Sequence, residues 1–205
     1  ECAGQMVEAI PPKVADGGVI VWSGDGKTIF TTAQDIGQRS LFAISAATGK
    51  VRTLVGQGDN TAPAVAGDRV VFLHNHLRSP NELHAVKQTG GASKPLTRVN
   101  APAVADTLMG EAEQYSFAGW NRETVHGYIV KPVNFDPRRK YPVAFLIHGG
   151  PQGSFGNLFH YRWNPQVYAG AGYAVVMVDF HGSTGYGQAF TDSIRGDWGG
   201  KPLVD

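Results

Sequence analysis

Cysteine is almost absent from this chain of 205 residues, which contains one, Cys2. A single cysteine cannot form a disulfide within the chain, and nothing around it suggests catalysis. We therefore interpret Cys2 as an incidental thiol, with a covalent link to another chain as the alternative. The opening residues 1–4 also lack the basic and apolar regions of a signal peptide.

Charge and long apolar runs are scarce as well. Charged residues make up 17% of the chain and the formal net charge is +1, whereas an average soluble protein has roughly 25% charged residues. This balance gives no reason to expect a nucleic acid or an anionic membrane as a partner. No apolar run approaches the roughly 18 residues of a membrane span, so the sequence predicts none.

Glycine and proline, by contrast, are plentiful, with 27 and 12 residues, which favours tight turns and short strands. Residues from about 17 to 105 contain short β-branched and aromatic runs between turn signals, and these runs repeat. The pentapeptide Ala-Pro-Ala-Val-Ala at 62–66 recurs at 101–105, 39 positions on. Five further residues reappear 42 positions later, namely Phe30, Leu41, Ala43, Gly49 and Leu54 as Phe72, Leu83, Ala85, Gly91 and Leu96.

A period near 40 with about four strands per unit is typical of a β-propeller blade. We predict that residues 1–112 are the C-terminal blades of a partial β-propeller. Since a propeller needs at least about four blades to close, and two would leave exposed strand edges, we expect further blades outside this chain.

The pattern changes after about residue 112. Strand, helix, strand and helix follow each other with short links, which is typical of an α/β arrangement with a parallel sheet. Asn164 and Pro165 predict the start of the first helix and Gly172 its end. Phe190 and Ile194 predict one face of the second helix. The predicted strands are 115–120, 124–130, 141–148 and 173–180, with a glycine-rich loop at 181–187.

The sequence His-Gly-Gly-Pro at 148–151 follows the apolar run 143–147, which has the character of a buried strand. In α/β-hydrolases such a strand-to-helix loop gives one backbone N–H to the oxyanion hole. We predict that role for Gly150, with a plain tight turn as the alternative. No serine in the chain has glycine both two residues before and two residues after it, so no nucleophile elbow is present.

Six segments together give the chain a resemblance to the prolyl oligopeptidase family of serine peptidases, in its acylaminoacyl-peptidase and dipeptidyl-peptidase V branch. The resemblance implies a β-propeller followed, at 113–205, by the N-terminal part of an α/β-hydrolase (peptidase) domain. It also implies a serine exopeptidase that cleaves short peptides by Ser-His-Asp acyl transfer, without cofactor or metal. The segments are 127–132, 141–143, 148–153, 171–176, 182–187 and 197–200.

In this family the triad is expected beyond Asp205, so we interpret the chain as a middle piece of a longer protein and predict that it is inactive alone. Its expected partners are a peptide substrate and the remaining part of the same protein. Whether the protein forms homo-oligomers is left open. For its location, the resemblance to the family favours the bacterial periplasm over the cytoplasm.

Several other residues are candidates for the site. His148 is rejected as the general base, because in this fold the triad runs in the order Ser, Asp or Glu, His, and Asp179 is rejected as the triad acid for the same reason. His148 is expected to orient its loop. For His181, lining the substrate pocket and bonding a loop carbonyl are left as equal alternatives. The candidates for substrate binding are His148, Gln152, Phe155, His181 and Tyr186.

Three other patterns receive structural interpretations. The aromatic residues Phe155, Phe159, Tyr161 and Trp163 are expected to form a core cluster, with a substrate subsite as the alternative. The loop 182–187 lacks the ending of a phosphate-binding loop. The histidines at 74, 76 and 84 have no cysteine or carboxylate at ligand spacing, so we expect a solvated strand and not a metal site.

Two rival functions remain. An esterase or lipase can share the His-Gly-Gly loop, but the propeller repeat is against it. A non-catalytic interaction protein, in which a propeller is joined to an inactive hydrolase-like domain, is the rival from another class.

Overall fold

The structure is a computed structural model that describes residues 19–150 and 152–205. The interpretations of Cys2 and of Pro151 lie outside the described residues. The described part folds into two β-sheets, one of eight strands and one of four. None of its helices has the length and apolar character needed to cross a membrane.

The first sheet consists of two antiparallel units of four strands each. The first unit contains β1 (Val21–Trp22), β2 (Thr28–Asp35), β3 (Gln38–Ser45) and β4 (Val51–Val55). The second contains β5 (Asp59–Ala66), β6 (Arg69–His76), β7 (Ser79–Lys87) and β8 (Lys94–Pro95). The units meet through one parallel pair, Arg39 with Asp59.

The sequence repeat of period 42 coincides with this division into units. Phe30 lies in the second strand of the first unit and Phe72 in the second strand of the next, and neither is exposed. Both belong to one apolar core that runs through the two units. The match weakens towards the end of the repeat, because Leu54 is buried whereas Leu96 is 54% exposed.

The two copies of the pentapeptide repeat do not adopt equivalent structures. Residues 62–66 lie in β5, where the pairing with β6 is irregular and Ala62 adopts a left-handed φ of 48°. The second copy forms a short helix, α1 (Ala101–Ala105). The difference arises because β6 supplies hydrogen-bond partners to the first copy, whereas the second closes its own turn, with Val104 N donating to Asn100 O at 2.9 Å.

The second sheet has the order β11-β12-β10-β9 and is mixed. Its strands are β9 (Ala112–Ala118), β10 (Thr124–Val130), β11 (Val143–Leu146) and β12 (Ala174–Asp179). β11 and β12 are parallel, but β10 is antiparallel to both β12 and β9, so the expected parallel sheet is confirmed only for the β11–β12 pair. The short link 119–123 reverses the chain between β9 and β10, and such a link can join only antiparallel strands.

Short helices connect these strands. They are a 3₁₀ turn (Trp120–Arg122), α2 (Pro165–Gly170), α3 (Gln188–Asp192) and α4 (Lys201–Val204). The predicted start of α2 is confirmed, since the Asn164 side chain accepts a hydrogen bond from Gln166 N at 2.9 Å and Pro165 follows it. Phe190 and Ile194 are both buried, but Ile194 lies two residues beyond the end of α3, so the two do not form one face of that helix as predicted.

Asn157 joins the two sheets. Its backbone N–H donates to Gly37 O at 2.7 Å, its amide donates to Gln38 Oε1 at 3.0 Å, and its Oδ1 accepts from Leu77 N at 3.0 Å. The hydroxyl of Tyr128 on β10 also donates to Gly37 O. Gly37 has a φ of 70°, and a Cβ there would lie 2.9 Å from the side-chain amide of Gln114 and 3.0 Å from the Tyr128 ring, so a side chain would strain this contact.

The junction makes Asn157 a test of how the sheets are held together. Asn157→Ala should lower the free energy of unfolding by about 1–3 kcal/mol, because the Leu77 N–H loses its partner and the Gln38 side-chain Oε1 loses one of its two donors. Thermal and urea unfolding of the protein would measure this. Gln88→Ala is the control, because Gln88 bonds Gly67 O at an exposed turn and its removal should change stability by less than about 0.5 kcal/mol. Equal effects of the two variants would contradict this description of the junction.

The three histidines at 74, 76 and 84 lie half-buried and in contact, which corrects the expectation of a solvated strand. The rings of His74 and His84 are 4.6 Å apart between centroids, and those of His74 and His76 are 6.0 Å apart. Burial, together with the neighbouring His84 and His76, lowers the pKa of His74 from 6.5 to about 4. Its imidazole is therefore neutral in the folded protein at neutral pH.

This pKa predicts a loss of stability in acid. Between pH 6.5 and about 4 the unfolded chain binds a proton at His74 that the folded chain does not, so stability falls as the pH falls through this window. The thermal midpoint of the wild type should drop across it, and that of His74→Gln should drop less. Parallel pH profiles for the two proteins would show that His74 is not responsible.

Candidate functional site

Two loops meet where the parallel strands β11 and β12 end. Because carboxyl ends of parallel strands share one edge of a sheet, loop 147–155 after β11 and loop 180–187 after β12 lie side by side. The backbone N–H of Thr184 donates to Gly153 O at 2.9 Å across them. We call these segments the glycine-pair loop and the second loop.

His148 fixes the beginning of the glycine-pair loop. Its side chain is 8% exposed and its ring stacks on Phe180, with centroids 4.4 Å apart. Nδ1 lies 3.0 Å from Gly149 O, which can only accept, so Nδ1 carries the hydrogen. Nε2 lies 2.8 Å from Ser183 Oγ and accepts from that hydroxyl in the neutral ring. This geometry agrees with a ring that orients its loop.

Asp179 fixes the end of the same loop. Its carboxylate is buried at the end of β12, with 2% exposure. Oδ2 accepts from Ser154 Oγ at 2.5 Å and from the Tyr186 hydroxyl at 2.6 Å, and Oδ1 accepts from Phe155 N at 2.9 Å. Burial, and then the charge of Asp179, raise the pKa of Tyr186 far above its ordinary value, so its hydroxyl remains a donor.

Gly150 lies between these two anchors and faces solvent. Its φ is 136°, and a Cβ at this position would lie 2.8 Å from Gln152 N, so a side chain would distort the loop. Gly149 is different, because a Cβ there would meet nothing within 4 Å. Among residues 19–150 and 152–205, no hydrogen-bond acceptor occupies the Gly150 N–H. The exposed N–H can therefore donate to a bound group.

His181 lies on the inner side of the site and is fully buried. Its Nδ1 is 2.7 Å from Asp205 Oδ2 and its Nε2 is 3.2 Å from Glu123 Oε2. The bond from His181 and then that from Asn121 lower the pKa of Glu123. Among the described residues its ring nitrogens bond two carboxylates and no loop carbonyl, and its part in substrate binding stays a prediction.

The other predicted substrate-binding residues are spread around the glycine-pair loop. Gln152 is exposed, and Tyr186 uses its hydroxyl on Asp179. His148 and Phe155 line a common cavity of about 440 Å³ that extends beneath β11. The other three predicted residues are not among those that line this cavity.

The expected aromatic cluster is not a single core cluster. Phe155 packs on the core beside His148, but Tyr161 is 77% and Trp163 is 51% exposed. Phe159 is half-buried and contacts Tyr161 edge-on, with ring centroids 5.2 Å apart. The exposure of Tyr161 and Trp163 therefore contradicts the prediction for these two rings.

Three residues important to this geometry were not assigned a positive role from sequence, namely Asp179, Ser154 and Ser183. The available signal was a carboxylate at the end of a long apolar run, since a buried carboxylate needs several donors. In the described part of the chain, no group of three or more His, Cys, Asp or Glu side chains is arranged to hold a metal ion.

Comparison with known proteins agrees with this geometry. The prolyl oligopeptidase family matches residues 159–205. Dipeptidyl-peptidase 5 of Trichophyton equinum is 38% identical over 193 residues, which cover 91% of this chain and 26% of that protein. Dipeptidyl-peptidase 5 of Arthroderma otae is 36% identical over 202 residues with the same coverage. The chain therefore spans about a quarter of the length of these curated relatives.

Solved structures give the same result. The Pyrococcus horikoshii acylaminoacyl peptidase superposes with a TM-score of 0.75 and 25% identity, covering 87% of this chain and 28% of that one. An acylaminoacyl peptidase in complex with Z-Gly-Gly-Phe-chloromethyl ketone gives a TM-score of 0.76 with the same coverage. A puromycin-hydrolysing peptidase from Mycobacterium tuberculosis, 21% identical with a TM-score of 0.67, covering 92% of this chain and 29% of that one, shares the fold. The family match over residues 159–205, the curated relatives and the solved structures thus show that the chain is similar to the prolyl oligopeptidase family in sequence and in fold.

Proposed function

We propose that the full-length protein is a serine peptidase that cleaves short peptides, of the dipeptidyl or acylaminoacyl type, and that this chain supplies one donor of its oxyanion hole. The observation that carries the proposal is the Gly150 N–H, which is exposed and without a partner among the described residues. The names of the relatives and of the structural neighbours support the same reaction class.

The chemistry assigns a definite task to this N–H. When a serine oxygen attacks the peptide carbonyl carbon, the electron pair of the C=O bond moves onto the carbonyl oxygen. An N–H already aimed at that oxygen strengthens its hydrogen bond as the charge develops, and such a donor is typically worth about 3–4 kcal/mol in the transition state. The donor must be backbone here, because the His148 side chain turns inward to Ser183.

The proposal also assigns a domain to each part of this chain and places the catalytic triad in the rest of the protein. The two four-stranded units within residues 1–112 would be the last blades of a β-propeller, and residues 113–205 the first part of the peptidase domain. The serine, its general base and the acid that orients the base would lie in the remaining part of the peptidase domain. The bonds of Asn157 to Gln38 and Leu77 support a position of these units beside the glycine-pair loop, where they would restrict access to short, flexible peptides.

Alanine at Gly150 should disable the enzyme without unfolding it. In the full-length protein, Gly150→Ala should lower kcat about 10²–10³-fold with little change in KM, because the donor is displaced only from the developing oxyanion. Gly149→Ala is the matched control, since a Cβ there meets nothing within 4 Å, and most of its activity should remain. Hydrolysis of a dipeptidyl or acylaminoacyl ester would measure both.

A serine-reactive fluorophosphonate probe tests the reaction class separately. The wild-type full-length protein should take the label. Absence of labelling and of hydrolysis would overturn the proposed peptidase and favour a non-catalytic interaction protein. If the wild type takes the label and Gly150→Ala is as active as Gly149→Ala, the proposed peptidase activity stands but the proposed role of Gly150 in the oxyanion hole is wrong.

A further inference from the structure

We propose that Asp179 is a positioning residue that holds the Gly150 N–H in its productive place. The proposal rests on the function proposed above and concerns how the oxyanion loop is kept in shape. Asp179 touches no open surface, because its side chain is buried at the end of β12. Its effect on the reaction must therefore pass through the groups that bind it.

Those groups come from both loops of the site. Ser154 and Phe155 belong to the glycine-pair loop, and Tyr186 belongs to the second loop. A buried carboxylate is stable only when donors surround it. The three donors therefore cannot move away from Asp179 without a large cost, and the carboxylate determines where residues 154 and 155 lie.

The strand that carries Asp179 gives the anchor its rigidity. β12 pairs with β11 on one side and with β10 on the other, and Asp179 itself is paired with His126 on β10. Strands bonded on both sides are among the least mobile parts of a fold. The loop is thus fastened to the most rigid element near the site.

The anchors leave little chain free between them. His148 is held by the Phe180 ring and the Ser183 hydroxyl, and Ser154 is held by Asp179. Only residues 149–153 lie between, and Gly153 O is itself bonded to Thr184 N. Fixing both ends restricts the directions that the Gly150 N–H can take, and release of one end would remove part of that restriction.

The substitution Asp179→Asn tests this with the smallest change of shape. An amide has no charge and one acceptor oxygen. With Phe155 N on that oxygen, the Ser154 and Tyr186 hydroxyls must turn and accept from the NH₂ group, so both lose their hydrogen bond to a charged partner. Ser154→Ala is the milder second variant, since it removes one donor and leaves the carboxylate with Phe155 N and Tyr186. Asp59→Asn is the matched control, a buried carboxylate in β5 that bonds Arg39 and Asn75.

The experiment uses the full-length protein and separates positioning from folding. It measures kcat and KM for a dipeptidyl or acylaminoacyl substrate, and the inhibition constant of a peptide aldehyde, whose adduct with the serine carries a tetrahedral oxyanion. A displacement of about 1 Å at a reacting centre can cost about 10²-fold. We expect kcat to fall about 10–100-fold in Asp179→Asn and about 2–10-fold in Ser154→Ala, with KM changing less than about threefold.

The aldehyde provides the readout that a purely structural role would not change. In Asp179→Asn the inhibition constant of the aldehyde should rise by about the same factor by which kcat falls. In the control Asp59→Asn the fraction of folded protein should fall, while kcat per folded molecule stays unchanged. Normal kcat and aldehyde binding in folded Asp179→Asn would overturn the proposal while leaving the peptidase intact. A wild-type protein that neither hydrolyses substrate nor takes the fluorophosphonate label would overturn both.

Discussion

The buried carboxylate of Asp179 is the contact on which the geometry of the site depends. It lies at the end of a strand that is paired on both sides, and its donors come from the two loops that follow the parallel strands. A buried charge is costly without hydrogen-bond donors, so the Asp179 carboxylate holds close together donors from segments that are far apart in sequence. The two ends of the glycine-pair loop, His148 and Ser154, bond to groups inside the protein, and Gly150 between them is left exposed to solvent.

The first sheet takes part in the same arrangement. Asn157, three residues after Ser154, bonds Gly37, Gln38 and Leu77 at the tips of the four-stranded units. The continuation of the glycine-pair loop is therefore held between the two sheets, while its beginning is held by Phe180 and Ser183. A displacement of the first sheet would reach the site through Asn157 and also through the second loop, where Ile36 N donates to Gly185 O at 3.0 Å. Access to the site is thereby connected with its shape.

Local signals in the sequence predicted much of this fold. Asn164 with Pro165 fixed the start of a helix, and the apolar runs before 148 and before 181 placed two strands whose loops had to meet at one edge. The long-range contacts could not be predicted in this way. Asp205 and Glu123, which bind His181, lie 24 and 58 positions from it, and no local pattern indicates which carboxylates a buried histidine will meet. The pentapeptide at 62–66 and 101–105 shows the same limit, since pairing with β6 and not composition decided between strand and helix.

The most direct test is a crystal structure of the full-length protein with a peptide chloromethyl ketone bound to its active-site serine, in which the tetrahedral oxygen stands for the oxyanion. We expect the Gly150 nitrogen within about 2.7–3.1 Å of that oxygen, the distance of an oxyanion-hole donor. The Ser154 and Tyr186 hydroxyls should remain on Asp179. An oxygen bound elsewhere, with the Gly150 N–H directed away from it, would contradict the site described here.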